Sequence, residues 1–334
     1  MKKKILPFIL VLLGICSING QLIKSDFTAG LSVGDAIEKG VYNEATDPVV
    51  LNQWNLWNKD LTNVEATAPG ASPKVIAPLV YDGYVGAEDD AIQLDKTTSG
   101  IRVSTFSLDE ADGNAYPASD SPYYLAFTLN PSSAETTAND AARAGLIAFN
   151  GSANGTFIRG VFNIFKQTDA AFRISLSGIY GGANKALGVW YQFGAPNLFI
   201  IKFDAVNNTM WIWANPTTEL LASTTENVGA SKMRYDFETE TRLSAIRSIS
   251  IFQRNDVKAA IGGIRFARSW EGIVKNISTG FNDFPQENKS IIKEQYFTPA
   301  GVEVAVPVER NIYIKKTTYE DGAMKSDKIF YLKR

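Results

Sequence analysis

The chain predicts an all-β protein, and three observations predict it. From Gly100 onward, short runs rich in Val, Ile, Phe, Tyr and Thr alternate with clusters of Gly, Asn, Asp and Ser. That is the pattern of many short strands joined by turns. Extended helical periodicity is scarce, and only residues 136–143 read as one short helix. Finally, Leu198-Phe-Ile-Ile-Lys-Phe-Asp-Ala-Val-Asn-Asn-Thr-Met-Trp-Ile-Trp-Ala-Asn-Pro216 sets two apolar strand-length runs around a polar, Asn-containing loop, a β-hairpin. Strands of this kind build a sandwich of two sheets.

Residues 1–20 read as an export signal rather than as part of the fold. Lys2, Lys3 and Lys4 supply the positive region, residues 5–15 the apolar stretch, and cleavage after Gly20 leaves Gln21 as the new terminus. Leu13-Gly-Ile-Cys16 is an approximate lipobox, so lipid modification of Cys16 is the alternative, with Ile15 a poor fit before the cysteine. Residues 21–278 follow as one large sandwich. Trp54 and Trp57 fall in a loop-rich early section, and strands are expected at 101–108, 123–129, 144–149, 156–165, 171–176 and 186–193. Residues 279–290 are polar, contain Pro285 and read as a linker. Beyond it, Tyr296-Phe-Thr-Pro-Ala-Gly-Val-Glu-Val304, Asn311-Ile-Tyr-Ile-Lys315 and Lys328-Ile-Phe-Tyr-Leu332 read as three strands of a small β module spanning 291–334. The alternative is that they close the sandwich as its last hairpin.

The hairpin and Ile261-Gly-Gly-Ile-Arg-Phe-Ala-Arg-Ser-Trp270 together resemble the closing strands of a concanavalin A-like (laminin-G-like) sandwich. Leu79-Val-Tyr-Asp-Gly-Tyr84 is similar to an element that precedes the first long strands of that group. The resemblance covers residues 25–274 and implies a jelly-roll β-sandwich of the kind found in secreted proteins of Bacteroidetes-type bacteria. The tail resembles the C-terminal secretion or sorting module of such proteins. It departs from that pattern where Arg310-Asn311 replaces the usual glycine and where no Tyr-Pro-Asn-Pro opening stands upstream. Relatives usually place acidic residues where Gly262-Gly263 stands, so a backbone bulge is expected there.

Composition removes whole classes of function. The chain has 0 histidines, which excludes the usual serine triads, thiol–imidazole pairs and most zinc sites. A net charge of −2 gives no electrostatic footprint for nucleic acid. With Cys16 its 1 cysteine, the exported chain would carry no disulfide, and a large core would have to replace such links. No other long apolar run follows the signal, so no transmembrane segment is expected in the exported chain.

Glycoside hydrolases of this fold carry a Glu-x-Asp-x-x-Glu strand, and that pattern is missing. The nearest fragment, Asp236-Phe-Glu-Thr-Glu240, shares its register with Arg234 and Arg242 and reads as a solvated salt-bridge ladder. A carboxylate-based hydrolase or lyase is therefore the least favoured reading. No catalytic residue is assigned.

The expected function is carbohydrate binding at or outside the cell surface, implied by the resemblance. In the hairpin, Met210, Ile212 and Ala214 point one way and Trp211 and Trp213 the other. Relatives keep an aromatic at the Trp213 position and a small or polar residue at the Trp211 position. Trp213 is thus read as structural, and Trp211 as either a sugar platform or, like most aromatics, a packed residue. Trp190 and Tyr191 lie on opposite faces, so at most one joins such a platform. Trp54 and Trp57, with Asn52, Gln53, Asn55 and Asn58 around them, suit a carbohydrate rim or a loop packed over the sandwich end. Glu88-Asp89-Asp90 offers Asp89 and Asp90 as calcium ligands or as an ordinary acidic turn, without EF-hand spacing. The alternative to sugar binding is a structural or adhesive module that contacts a surface protein.

Overall fold

A computed structural model describes residues 22–42, 53–57, 72–95, 101–108, 116–117, 120, 122–134, 144–151, 158–179, 184–236, 245–254, 257–275, 291–298, 302–304, 311–319 and 324–331. The expected export signal, the expected short helix at 136–143, the expected linker at 279–290 and residues 237–240 lie outside the described residues. The chain divides into two compact units, Met1–Lys275 and Asn276–Arg334.

The first unit begins with β1 (Leu22–Lys24), β2 (Glu38–Tyr42), β3 (Trp54–Trp57), β4 (Lys74–Ile76), β5 (Ala91–Leu94) and β6 (Ile101–Ser107). It continues with β7 (Tyr116–Pro117), β8 (Tyr123–Ser133), β9 (Ala144–Asn150), β10 (Ile158–Lys166), β11 (Ala171–Ile179), β12 (Asn184–Ala186) and β13 (Tyr191–Gln192). Then come β14 (Asn197–Asp204), β15 (Thr209–Ala214), helix α1 (Thr218–Ala222) and β16 (Met233–Asp236). It closes with β17 (Ala245–Ile246), β18 (Ser248–Arg254), β19 (Lys258–Ala267) and helix α2 (Trp270–Val274). One sheet has eight strands in the order β16-β15-β14-β8-β19-β5-β4, with β1 beside β19. The other has nine, in the order β12-β11-β10-β9-β18-β6-β3-β2, with β13 also on β11. Pairing is antiparallel except between β2 and β3. The fold is the expected all-β sandwich.

The strands form because their apolar residues alternate, and the pleat turns that alternation into one buried face. Leu125, Phe127, Phe199, Ile201 and Ile212 from the eight-stranded sheet meet Ile147, Phe149, Phe162, Phe172 and Ile249 from the nine-stranded one in a single core. The eight-stranded sheet buries its outer face too. Tyr124, Leu198, Ile200 and Trp213 pack there against Leu221, Trp270 and Ile273 of the two helices. Each helix is a short cover with a hydroxyl cap: Thr217 accepts from Leu220 N, and Ser269 from Gly272 N.

β19 carries the expected bulge. Ala259, Ile261, Ile264 and Phe266 all point into the main core, so the inward rhythm skips one residue between Ile261 and Ile264. The pairing of β19 with β8 shifts register between Gly262 and Arg265, and Gly263 has φ of 56°. The extra residue keeps Arg265 off the main core. Arg265 is buried on the outer side, donating to Lys275 O at 3.1 Å.

Two sequence expectations change. Trp54 and Trp57 are not in a loop, since β3 pairs with β6 (Trp54 with Phe106) and runs parallel to β2. Residues 186–193 are not one strand, because β12 and β13 contact β11 separately with a loop between them.

The second unit holds β20 (Ile291–Phe297), β21 (Glu303–Val304), β22 (Asn311–Tyr319) and β23 (Met324–Tyr331), one four-stranded sheet in the order β21-β20-β22-β23. These strands form a sheet of their own. Tyr313 and Thr317, four apart on one face of β22, are its buried residues among those described.

Candidate ligand-binding face

Trp211 stands on the outer face of the eight-stranded sheet, as the alternation requires, and is partly buried. Its cross-strand neighbours are Lys202 on β14 and Arg234 on β16. The Lys202 ammonium lies 4.9 Å and the Arg234 guanidinium 5.3 Å from its ring, so cations from both adjacent strands occupy the indole. Glu226 ties the row together, accepting from Lys202 Nζ at 2.6 Å and from Tyr124 Oη at 2.7 Å. Arg234 pairs with Asp236 at 2.8 Å. The ring is committed to neighbouring side chains.

Trp54 is a correction. It is 1% exposed, its Nε1 donates to Phe27 O at 2.8 Å, and Phe27 and Phe106 pack on its ring. A residue so enclosed offers no face to a ligand. The Trp57 side chain lies outside the described residues. Tyr191 is likewise buried, against Phe172 and Phe199, and burial pushes its phenol well above the ordinary tyrosine range.

Trp190 is the opposite case. At 55% exposure it is the single aromatic among the described residues whose large apolar side chain stands open; the others are all valines. The main chain around it is pinned. Leu187 N donates to Ile174 O at 2.8 Å, and Tyr191 pairs with Phe172. Residues 188–190 therefore leave and rejoin β11 on either side of Arg173. Tyr191 points inward, so Gln192 beside it in β13 points outward, and both Gln192 and Trp190, just before the strand, are exposed.

The outward residues of β11 continue this face. Phe172, Ile174 and Leu176 enter the core, so Arg173, Ser175 and Ser177 face out. The Arg173 guanidinium stacks 4.4 Å from the ring of Phe165, its cross-strand partner. Asn163 Nδ2 donates to Ser177 Oγ at 3.2 Å. Arg173 Nε and Ser175 Oγ are buried with no hydrogen-bond partner among the described residues. An open indole, an exposed amide and a guanidinium whose Nε has no partner among the described residues thus lie along β11. Such a face can stack a ring and donate hydrogen bonds to its substituents.

Sequence reading found Trp190 but missed Arg173. The signal was present in Phe172-Arg-Ile-Ser-Leu-Ser177, whose strict alternation sends every polar residue outward.

Asp89 and Asp90 follow the turn Val85–Glu88. Among the described residues, no three His, Cys, Asp or Glu side chains gather to hold a metal ion. Burial raises the Asp89 carboxyl to about 6 from 3.8; Arg265 pulls it down, while Asp26, Glu88 and Asp90 push it up. The folded protein therefore keeps this proton up to about pH 6, whereas the unfolded chain releases it near 3.8. Stability should fall as pH rises through that window, with the penalty complete above it. Asp89→Asn should flatten the slope and raise stability near neutral pH by about 1 kcal/mol, discounted for solvent screening. Urea titrations of both proteins across the window test this, and parallel pH profiles would contradict it.

No helix among the described residues is long and apolar enough to cross a membrane. No family model matches the chain. No curated protein matches it. Among solved structures, the chain is similar to the T. cruzi calreticulin globular domain at 10% identity and TM-score 0.41, over 66% of this chain and 86% of that one. It is similar to a heptameric SAP-like pentraxin from Limulus polyphemus at 10% identity and TM-score 0.37, over 56% and 81% of the two chains. It is also similar to a sialidase at 11% identity and TM-score 0.38, over 65% of this chain and 17% of the sialidase.

Proposed function

We propose that the protein is a non-catalytic carbohydrate-binding protein that works outside the cell, taking a sugar ring on Trp190. The observation that carries this reading is the open indole at 55% exposure on a loop anchored at both ends. Holding a large apolar ring in water gains nothing for the fold, and a fixed platform pays little entropy when a ligand arrives. Gln192, exposed in β13, supplies an amide for hydroxyl groups. Export is supported by the lysine-rich, apolar stretch at residues 1–20.

A glycan array, run with and without calcium, tests the proposal. Specific binding is expected, with Trp190→Ala weakening it at least tenfold and Trp211→Ala leaving it near the parent value. Binding that survives Trp190→Ala moves the site elsewhere. If the parent protein binds no glycan, the reading fails in favour of a protein-contacting module.

A further inference from the structure

We infer that the ligand of the Trp190 face is an acidic glycan, whose carboxylate is taken by Arg173. This rests on the proposed carbohydrate function and names its substrate class. The first observation is that Arg173 has no ion pair among the described residues. By contrast, Lys202 pairs with Glu226, Arg234 with Asp236 and Arg268 with Asp120 on the other sheet. Net charge does not force the difference, because the chain is slightly acidic overall.

The second observation is that the guanidinium is oriented before any ligand arrives. The guanidinium carbon lies 4.4 Å over the Phe165 ring, and that contact restrains the partly buried side chain. A planar guanidinium fork matches a carboxylate through two parallel hydrogen bonds. Its Nε is buried without an acceptor, which leaves the two terminal nitrogens of the fork for a carboxylate. The third observation is position. The loop carrying Trp190 departs after Leu187, which bonds to Ile174, and returns at Tyr191, which pairs with Phe172. Arg173 lies between those two contacts. A sugar stacked on the indole would thus hold its substituents over the guanidinium, and the exposed Gln192 remains for its hydroxyls.

The test uses matched glycans on the full protein: uronic acid oligosaccharides, the same oligosaccharides with carboxyl groups reduced to alcohols, and sulfated neutral oligosaccharides. Titration calorimetry should give at least tenfold tighter binding for the carboxylated set than for the reduced set, with the advantage shrinking as salt is added. Arg173→Gln should erase that advantage while keeping binding of the reduced set, which Trp190 supports. Arg173→Lys, which keeps the charge but not the fork, should restore only part of it. Near-UV circular dichroism confirms that both variants are folded.

Equal affinity for carboxylated and reduced oligosaccharides, with Trp190 still required, would overturn the acidic ligand and leave the carbohydrate function standing. Preference for the sulfated set over the carboxylated one would overturn the carboxylate. A carboxylate preference that survives Arg173→Gln would overturn the role of Arg173. Failure to bind all three sets would remove both proposals together.

Discussion

Gly263→Ala is expected to cost the sandwich about 3–5 kcal/mol, the range reached when backbone strain and a steric clash combine. Gly263 has φ of 56°, where any side chain is strained. A Cβ there would lie 2.5 Å from Gly86 O and 2.9 Å from Tyr84 Cε1. Neither obstacle can yield freely. Gly86 belongs to the turn Val85–Glu88, and the Tyr84 hydroxyl donates to Gly263 O at 2.6 Å. The bulge also decides which face Arg265 takes, so relief by sliding β19 one residue would drive that guanidinium toward the main core.

Gly194→Ala provides the comparison. Gly194 has φ of 75° but nothing within 4 Å of its would-be Cβ, so it isolates strain at about 1–2 kcal/mol. Urea unfolding of the two variants should therefore differ clearly. Equal losses would mean that the contact between Gly263 and the Val85–Glu88 turn carries no weight.

This bulge was readable before the structure, since two glycines interrupt an otherwise apolar strand. The pleat made much of the rest readable as well. Met210 and Ile212 enter the core while Trp211 and Trp213 turn outward, because side-chain direction is a local property of the strand. Trp54 was not readable in that way. Its burial depends on Phe27 and Phe106, 27 residues before it and further along the chain respectively, and no local pattern announces a carbonyl that remote. The same reason hid the candidate site. The alternation of Phe172-Arg-Ile-Ser-Leu-Ser177 shows that Arg173 faces out, but not that no described carboxylate comes to meet it. Nor does it show that residues 188–190 swing past. The cations around Trp211 were hidden for a related cause: Lys202 and Arg234 become its neighbours only when three strands pair.

Trp213→Ala should be the other severe variant, costing about 3–5 kcal/mol as a large buried aromatic is lost. Trp213 is 0% exposed and meets Trp270 edge-on with centroids 5.2 Å apart. Its Nε1 donates to Asn227 O at 3.0 Å. The indole therefore joins three things that would otherwise cover the sheet independently: β15, the segment between α1 and β16, and α2. Truncation opens a cavity beneath both helices and leaves the Asn227 carbonyl with its bond from Ala230 N alone, and the short helices have too few residues to persist without the packing. Trp213→Phe keeps most of the volume and should cost about 1–3 kcal/mol, from the lost hydrogen bond and the imperfect fit.

The informative readout is the contrast among the three outward tryptophans, measured for both stability and glycan binding. Trp213→Ala should lower stability sharply. Trp190→Ala should leave stability within about 0.5 kcal/mol of the parent, as surface changes do, while removing binding. Trp211→Ala should fall between them in stability and spare binding, because its ring serves Lys202 and Arg234. If Trp190→Ala proved as destabilising as Trp213→Ala, the exposed indole would be a structural part of its loop, and the case for a ligand platform there would collapse.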